Sequence, residues 1–298
     1  MDFSLFRYKT IRLIRQCLYV VNPFEVWRMV QLQSAGHLLL LAHIKNIFKN
    51  VPVFALGTGG SVANLKGIER LKDRCTFTVT MGGLYLPLCY GFYPTIWFLH
   101  NEDTIEMCLH ELERENARRK LNFLNTYIFV PRNFTDAKTL TFSSPLFRHF
   151  RNIIGPTRYV LYRESFSQQF DVDNVPLDFL PGREPFKPMT NSSAVEMLFL
   201  PVLTALGVRE IYFSGVDGIP DTGHFWDSNK IYQDMHGKPL TFPQKERYAL
   251  CHESIKPLLS RNGISVWRLE LKRTLLTSYP YMDFEEALAR TATRWICK

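Results

Sequence analysis

Residues 51–61, Val-Pro-Val-Phe-Ala-Leu-Gly-Thr-Gly-Gly-Ser, constrain this chain more than any other stretch. Val51 to Leu56 reads as a short buried strand. It runs straight into the turn Gly57-Thr58-Gly59-Gly60-Ser61, and a helix is expected from about Val62 to Lys72. A strand, a glycine turn and a helix in that order are how an α/β sheet cradles a phosphate. Glycine lets backbone come close to a ligand, and a helix N-terminus offers unpaired N–H groups and a partial positive charge. The alternative is an ordinary βα turn that binds nothing. The turn fits neither G-x-G-x-x-G nor G-x-x-x-x-G-K-[ST], so neither dinucleotide nor P-loop binding is favoured.

Other segments alternate in the same way. Strands are expected at Thr76 to Thr80, Thr95 to Leu99, Thr126 to Val130, Ile211 to Ser214 and Ile264 to Leu269. Helices are expected at Phe24 to Phe48 (broken near Gly36), Tyr85 to Tyr90, Thr104 to Leu121, Ala194 to Leu206 and Phe242 to Arg261, with a last one starting at Asp283. Alternation of this kind implies a Rossmann-like, mostly parallel α/β sheet with helices on both faces, forming one α/β domain over 51–298. Residues 131–189 are rich in proline and aromatics, and their strand-like pieces are short. They read as an irregular, lid-like insertion. Residues 1–50 read as a basic, amphipathic helical segment. Phe3, Phe6, Ile11, Ile14 and Leu18 recur at roughly helical spacing between Arg7, Lys9, Arg12 and Arg15. Such a helix over residues 1–20 suits an anionic membrane surface, or packing on the domain or on a partner subunit.

The 298 residues suffice for one large α/β domain or two small ones, and the formal net charge of +8 fits an anionic ligand, membrane or nucleic acid. No nucleic-acid-binding signature is present, so nucleic acid ranks last. The six cysteines are scattered, without CxxC or zinc spacing, as reduced cytosolic thiols are. No signal peptide or spanning segment is evident, so the expected location is the cytoplasm, peripheral to the inner face of the plasma membrane if the first helix binds there.

In a parallel sheet, ligands sit at the carboxyl ends of the strands. Four polar clusters fall there or at helix starts: Gly57–Ser61, His100–Asp103, Asn191–Ser193 and Ser214–Asp217. Their convergence on one edge is the expectation.

The segment Asn191 to Asp217, N-S-S-A-V-E-M-L-F-L-P-V-L-T-A-L-G-V-R-E-I-Y-F-S-G-V-D, resembles a hallmark stretch of the bacterial sialyltransferases of glycosyltransferase family 42. Their T-S-G helix start leads to A-L-G-x-x-E-I-Y-x-S-G-I-D. The turn at 57–61 is similar to their G-N-G-P-S, and Phe98 to Glu102 to their F-Y-N-P. The archaeal 6-hydroxymethylpterin diphosphokinase-like domain, also found in motility-associated glycosylation proteins, is similar over the same segments. The resemblance covers residues 51–104 and 189–290. It implies a GT-A-like variant of the nucleotide fold that acts as an inverting glycosyltransferase. It would move sialic acid or a related acidic sugar from a CMP-activated donor to a hydroxyl of a cell-surface glycan, such as lipopolysaccharide or capsule, the acceptor being free or lipid-linked. No cofactor and no metal are implied.

By position, Gly57, Thr58, Gly59, Gly60 and Ser61 would face the nucleotide phosphate. Asn101 would contact the donor. Asn191, Ser192 and Ser193 would lie on its cytidine or carboxylate side, and Asp217 beside the nucleotide. The chain departs from the family at Thr58, where the family has Asn, and at Met81-Gly82-Gly83, where it has a second-strand asparagine. Ile219 and His224 fall where the family has phosphate-binding tyrosines. Inverting transfer needs a group to take the acceptor proton, and histidine titrates in the right range. His224 and His236 are the two candidates, and both stay open. Two alternatives remain: an Mg-dependent pterin diphosphokinase-like enzyme with Glu102 and Asp103 at its metal, and a non-catalytic nucleotide- or glycan-binding protein. Homo-oligomerisation is left open.

Overall fold

The computed structural model describes residues 23–99, 102–119, 121–131, 144–162, 168–169, 189–190, 200–217, 223–227, 245–271, 274 and 276–292. In chain order these give α1 (Pro23–Ser34), β1 (Leu38–Leu40), β2 (Val53–Leu56), β3 (Cys75–Val79), α2 (Gly82–Tyr90), β4 (Ile96–Phe98), α3 (Glu102–Arg119), β5 (Tyr127–Pro131), α4 (Pro145–Ile154), β6 (Arg158–Tyr162), β7 (Gln168–Gln169), β8 (Met189–Thr190), α5 (Leu200–Ala205), β9 (Glu210–Ser214), α6 (Lys245–Arg261), β10 (Ser265–Arg268) and α7 (Phe284–Thr291). Eight strands form one sheet in the order β1-β6-β5-β4-β3-β2-β9-β10, and every pairing is parallel. β7 and β8 pair separately. The fold is thus α/β and Rossmann-like in class, as the alternating pattern implies.

Central strands of a parallel sheet are buried on both faces, which is why they read as continuous apolar runs. In β2, Val53 and Ala55 enter a core built with α5 and α6, while Phe54 and Leu56 enter one shared with residues 62–71 and α7. All four side chains are fully buried. At the other end of the sheet, α3 and α4 cover Trp97, Ile128, Val130, Tyr159 and Leu161.

Several elements differ from expectation. The run Leu38–Leu40 is the edge strand β1, in register with Tyr159, Val160 and Leu161 of β6, and not the second half of a helix. The sheet therefore begins before residue 51. The expected helix from Val62 to Lys72 is two 3₁₀ segments, Gly60–Asn64 and Ile68–Asp73. Gly67, in the left-handed region at φ 74°, separates them. Within the expected lid, 145–162 is ordinary α/β structure: Ser144 Oγ caps α4 by accepting from the Phe147 N–H, Pro145 opens the helix, and β6 joins the main sheet. The rest of 131–189 lies almost wholly outside the described residues. The amphipathic segment 1–20 lies outside them too. Among the described residues no helix is long and apolar enough to cross a membrane.

Candidate functional site

The order of strands places the site. From β2 the chain steps outward through β3, β4, β5 and β6, then returns to lay β9 on the other side of β2. In open parallel sheets the crevice between strands whose connections diverge, at their carboxyl ends, is where ligands bind. Here that crevice lies between β2, which ends in the turn Gly57–Ser61, and β9, which ends in Ser214-Gly215-Val216-Asp217. β2 and β9 are paired with Leu56 opposite Ser214.

The two loops touch backbone to backbone. Gly57 N–H donates to Ser214 O at 2.7 Å, and Gly59 N–H to Gly215 O at 2.9 Å. Any Cβ on Gly57 would lie 2.3 Å from Gly215 O, and on Gly59 2.6 Å from Asp217 Cγ. These glycines are there so that the loops can meet. Ser61 closes the contact: its N–H donates to Asp217 Oδ2 at 2.8 Å and its hydroxyl to Asp217 Oδ1. Three N–H groups of the turn are therefore engaged inside the protein, and Asp217, itself buried, serves the turn. Of the five turn residues only Thr58 is partly exposed, at the rim.

Thr58 carries the histidine. Its carbonyl accepts the Phe225 N–H at 3.1 Å and lies 3.3 Å from His224 Nδ1. A carbonyl only accepts, so Nδ1 holds the proton and the lone pair is at Nε2. Gly59 and His224 also form an antiparallel bridge. The imidazole stacks on Trp226 with centroids 4.2 Å apart, and Trp226 stacks on Tyr85 of α2 at 4.3 Å. Burial pushes the His224 pKa down. The Thr58 carbonyl and Asp227 oppose this more weakly. At neutral pH the ring is an uncharged base, oriented from both sides.

A residue not singled out in the sequence completes the cluster. Glu270 follows β10 and is buried. Its Oε1 lies 3.0 Å from Ser61 Oγ and accepts the Gly215 N–H at 2.8 Å. Burial pushes the Glu270 carboxyl up to about 7, and Asp217 acts in the same direction. The nearby Ser214 hydroxyl, the Gly215 N–H and the Ser61 hydroxyl act against it. A charged residue just past the last strand was the available signal, and Trp226 and Tyr85 gave none.

The structure thus brings together Gly57–Ser61, Asp217 and His224. Asn101, Asn191, Ser192, Ser193, His236 and His100 lie outside the described residues. His252 is buried and packs edge-to-face on Tyr279, as expected for a structural histidine. Met81-Gly82-Gly83 starts α2 against the sheet, where a Cβ on Gly83 would lie 2.1 Å from the Trp97 indole; that position is given over to packing. A comparison with protein-family models finds no match, and one with curated proteins finds none either.

Proposed function

We propose that the chain is an inverting glycosyltransferase that uses a CMP-activated acidic sugar and transfers it to a glycan hydroxyl, with His224 as the base. One observation carries this reading: a neutral, oriented histidine stands at the switch point of a parallel sheet, with Nδ1–H held by Thr58 O. In such a site the acceptor hydroxyl gives its proton to Nε2 as its oxygen bonds to the anomeric carbon. The bond to the CMP phosphate breaks on the opposite face, and CMP leaves with the bonding electrons. The resulting imidazolium is stabilised by the Thr58 carbonyl and by Asp227, the two groups that favour its charged form.

The donor phosphate cannot rest on the N–H groups of Gly57, Gly59 and Ser61, which face Ser214, Gly215 and Asp217. It is met at the rim formed by Thr58, with the turn acting as a rigid floor. Asn101 and Asn191–Ser193 belong to the same reading by their resemblance. The acidic sugar and its phosphate suit the positive charge of the chain.

Thermal-shift measurements with CMP, CDP, UDP, GDP and ATP, each with and without Mg²⁺, test it. Stabilisation by CMP without metal is expected. Stabilisation by ATP only when Mg²⁺ is present supports the diphosphokinase alternative instead. No response to any nucleotide supports a non-catalytic role.

A further inference from the structure

The Ser61 hydroxyl lies between two carboxyl groups. It donates to Asp217 Oδ1, and Glu270 Oε1 stands 3.0 Å from the same oxygen. One hydroxyl has one proton. With that proton given to Asp217, a hydrogen bond between the Ser61 hydroxyl and Glu270 needs a proton on Glu270, while the Gly215 N–H, 2.8 Å from Oε1, holds the same oxygen from the other side. Two ionised carboxylates on one buried hydroxyl would repel each other with little water to screen them.

The groups around Glu270 fit this. From the β2 turn it meets Ser61. From the β9 loop it meets Ser214, the Gly215 N–H and Asp217. On its own segment Arg268 uses its guanidinium on the carbonyl oxygens of Glu270, Leu271 and Tyr279, at 2.5, 3.1 and 2.9 Å, and not on the carboxyl.

We propose that Glu270 is a positioning residue working as a neutral carboxylic acid: its proton, donated to Ser61, ties the carboxyl ends of β2, β9 and β10 together, and the tied turn holds Thr58 and so His224 in place. The importance of His224 rests on the transferase reading; the shared proton does not. When Glu270 ionises, two negative charges face Ser61. The clasp loosens, and Thr58, three residues away, loses its fixed support. Nothing else in the cluster has to titrate. The site then has an upper pH limit near neutrality that is set away from the reacting atoms.

The test uses the full chain. In protein carrying ¹³C-labelled glutamate, one side-chain carboxyl resonance titrates near neutrality and is missing in Glu270→Gln. Amide exchange at Gly59, Ser61 and Gly215 speeds up with pH in the wild type by more than the intrinsic chemistry gives. In Glu270→Gln, which is neutral at every pH, it follows the intrinsic chemistry alone. Wild-type protein melts progressively lower than Glu270→Gln as pH rises from about 5 to about 8. A Glu270 carboxyl that titrates in the ordinary carboxylate range, or parallel pH profiles for the two proteins, overturns the proposal. If Glu270→Gln does not fold, the wild-type spectrum decides alone: a glutamate resonance titrating near neutrality supports the proposal, and none overturns it. None of these readouts needs a nucleotide. A failed CMP response therefore leaves them standing, and flat profiles leave the CMP result untouched.

Discussion

A histidine can act as a base only when it is neutral and its tautomer leaves a lone pair free of the backbone. Charge and tautomer are both set locally at His224. The Thr58 carbonyl fixes the tautomer, and burial keeps the ring uncharged below its ordinary pKa. His224→Ala is expected to lower turnover by about 10²–10⁴-fold with little change in donor affinity. A loss of CMP binding instead would make His224 a ligand and not a base. Trp226 supplies much of the burial, being stacked face to face on the ring. Trp226→Ala is therefore expected to raise the His224 pKa toward its ordinary value, moving the acidic limb of the rate profile to higher pH. The imidazole proton shifts followed by NMR report the same change. Glu270 has the opposite sign. Its folded pKa lies above the unfolded value, so its contribution is complete at low pH and is lost as pH rises through about 7. The stability of Glu270→Gln relative to the wild type is expected to grow by up to about 3 kcal/mol between pH 4.5 and pH 8.5, read as a widening gap in melting temperature. The two histidine candidates were legible because histidine is scarce and chemically distinct. Glu270 was not, because one acid after an apolar strand resembles any surface carboxylate until burial and neighbours are known.

At the scale of elements, the site is a junction of two loops that depend on small residues. Gly59→Ala puts a methyl group 2.6 Å from Asp217 Cγ, and the loop must open to accept it. A loss of about 1–3 kcal/mol is expected from urea unfolding, together with a lower response to CMP. If stability is unchanged, the turn and the 214–217 loop do not pack as closely as described. Ser144→Ala, which removes the cap of α4, a helix packed in the core with Trp97, Ile128 and Leu161, is expected to cost about 1 kcal/mol and to leave the CMP response intact. The pair separates loss of the site from loss of the fold. The same elements show what periodicity can carry. Residues in β2, β3, β4, β5 and β9 form apolar runs bounded by turns, and they were read to within about two residues. β1 was missed because three leucines suit a helix as well as a strand, and only pairing with β6 decides. α4 and β6 were folded into the expected lid, although Ser144-Pro145 is a helix start and Gly155 a stop. Their aromatic, basic composition hid the short pattern between those signals.

For the whole molecule, the alternation of elements was legible and the order of the strands was not. The return of the chain from β6 to β9 creates the switch point, and it is a long-range choice with no local signature. Charge is also a property of the whole. The chain carries +8, and four of its cations, Arg7, Lys9, Arg12 and Arg15, lie in the segment read as an amphipathic helix. Trp27 and Val30, one turn apart on α1, are 62% and 54% exposed. A transferase acting on a lipid-linked acceptor gains from both, since the surface concentrates enzyme where the acceptor is. Each basic side chain near an anionic bilayer is worth about 1 kcal/mol. Replacing all four by glutamine is then expected to weaken binding to phosphatidylglycerol-containing vesicles by roughly a thousandfold. Binding to neutral phosphatidylcholine vesicles should be weak for both proteins, and raised salt should release the wild type, because the attraction is screened over about 10 Å at 0.1 M. Trp27→Ala should weaken it further without changing the salt dependence, since it removes apolar contact and no charge. Co-sedimentation decides between two roles for these residues. If the four-glutamine variant binds as the wild type does, the cations serve the fold or a protein partner. If it is lost from vesicles yet keeps its response to CMP, the membrane-binding and nucleotide-binding parts of the chain are separate.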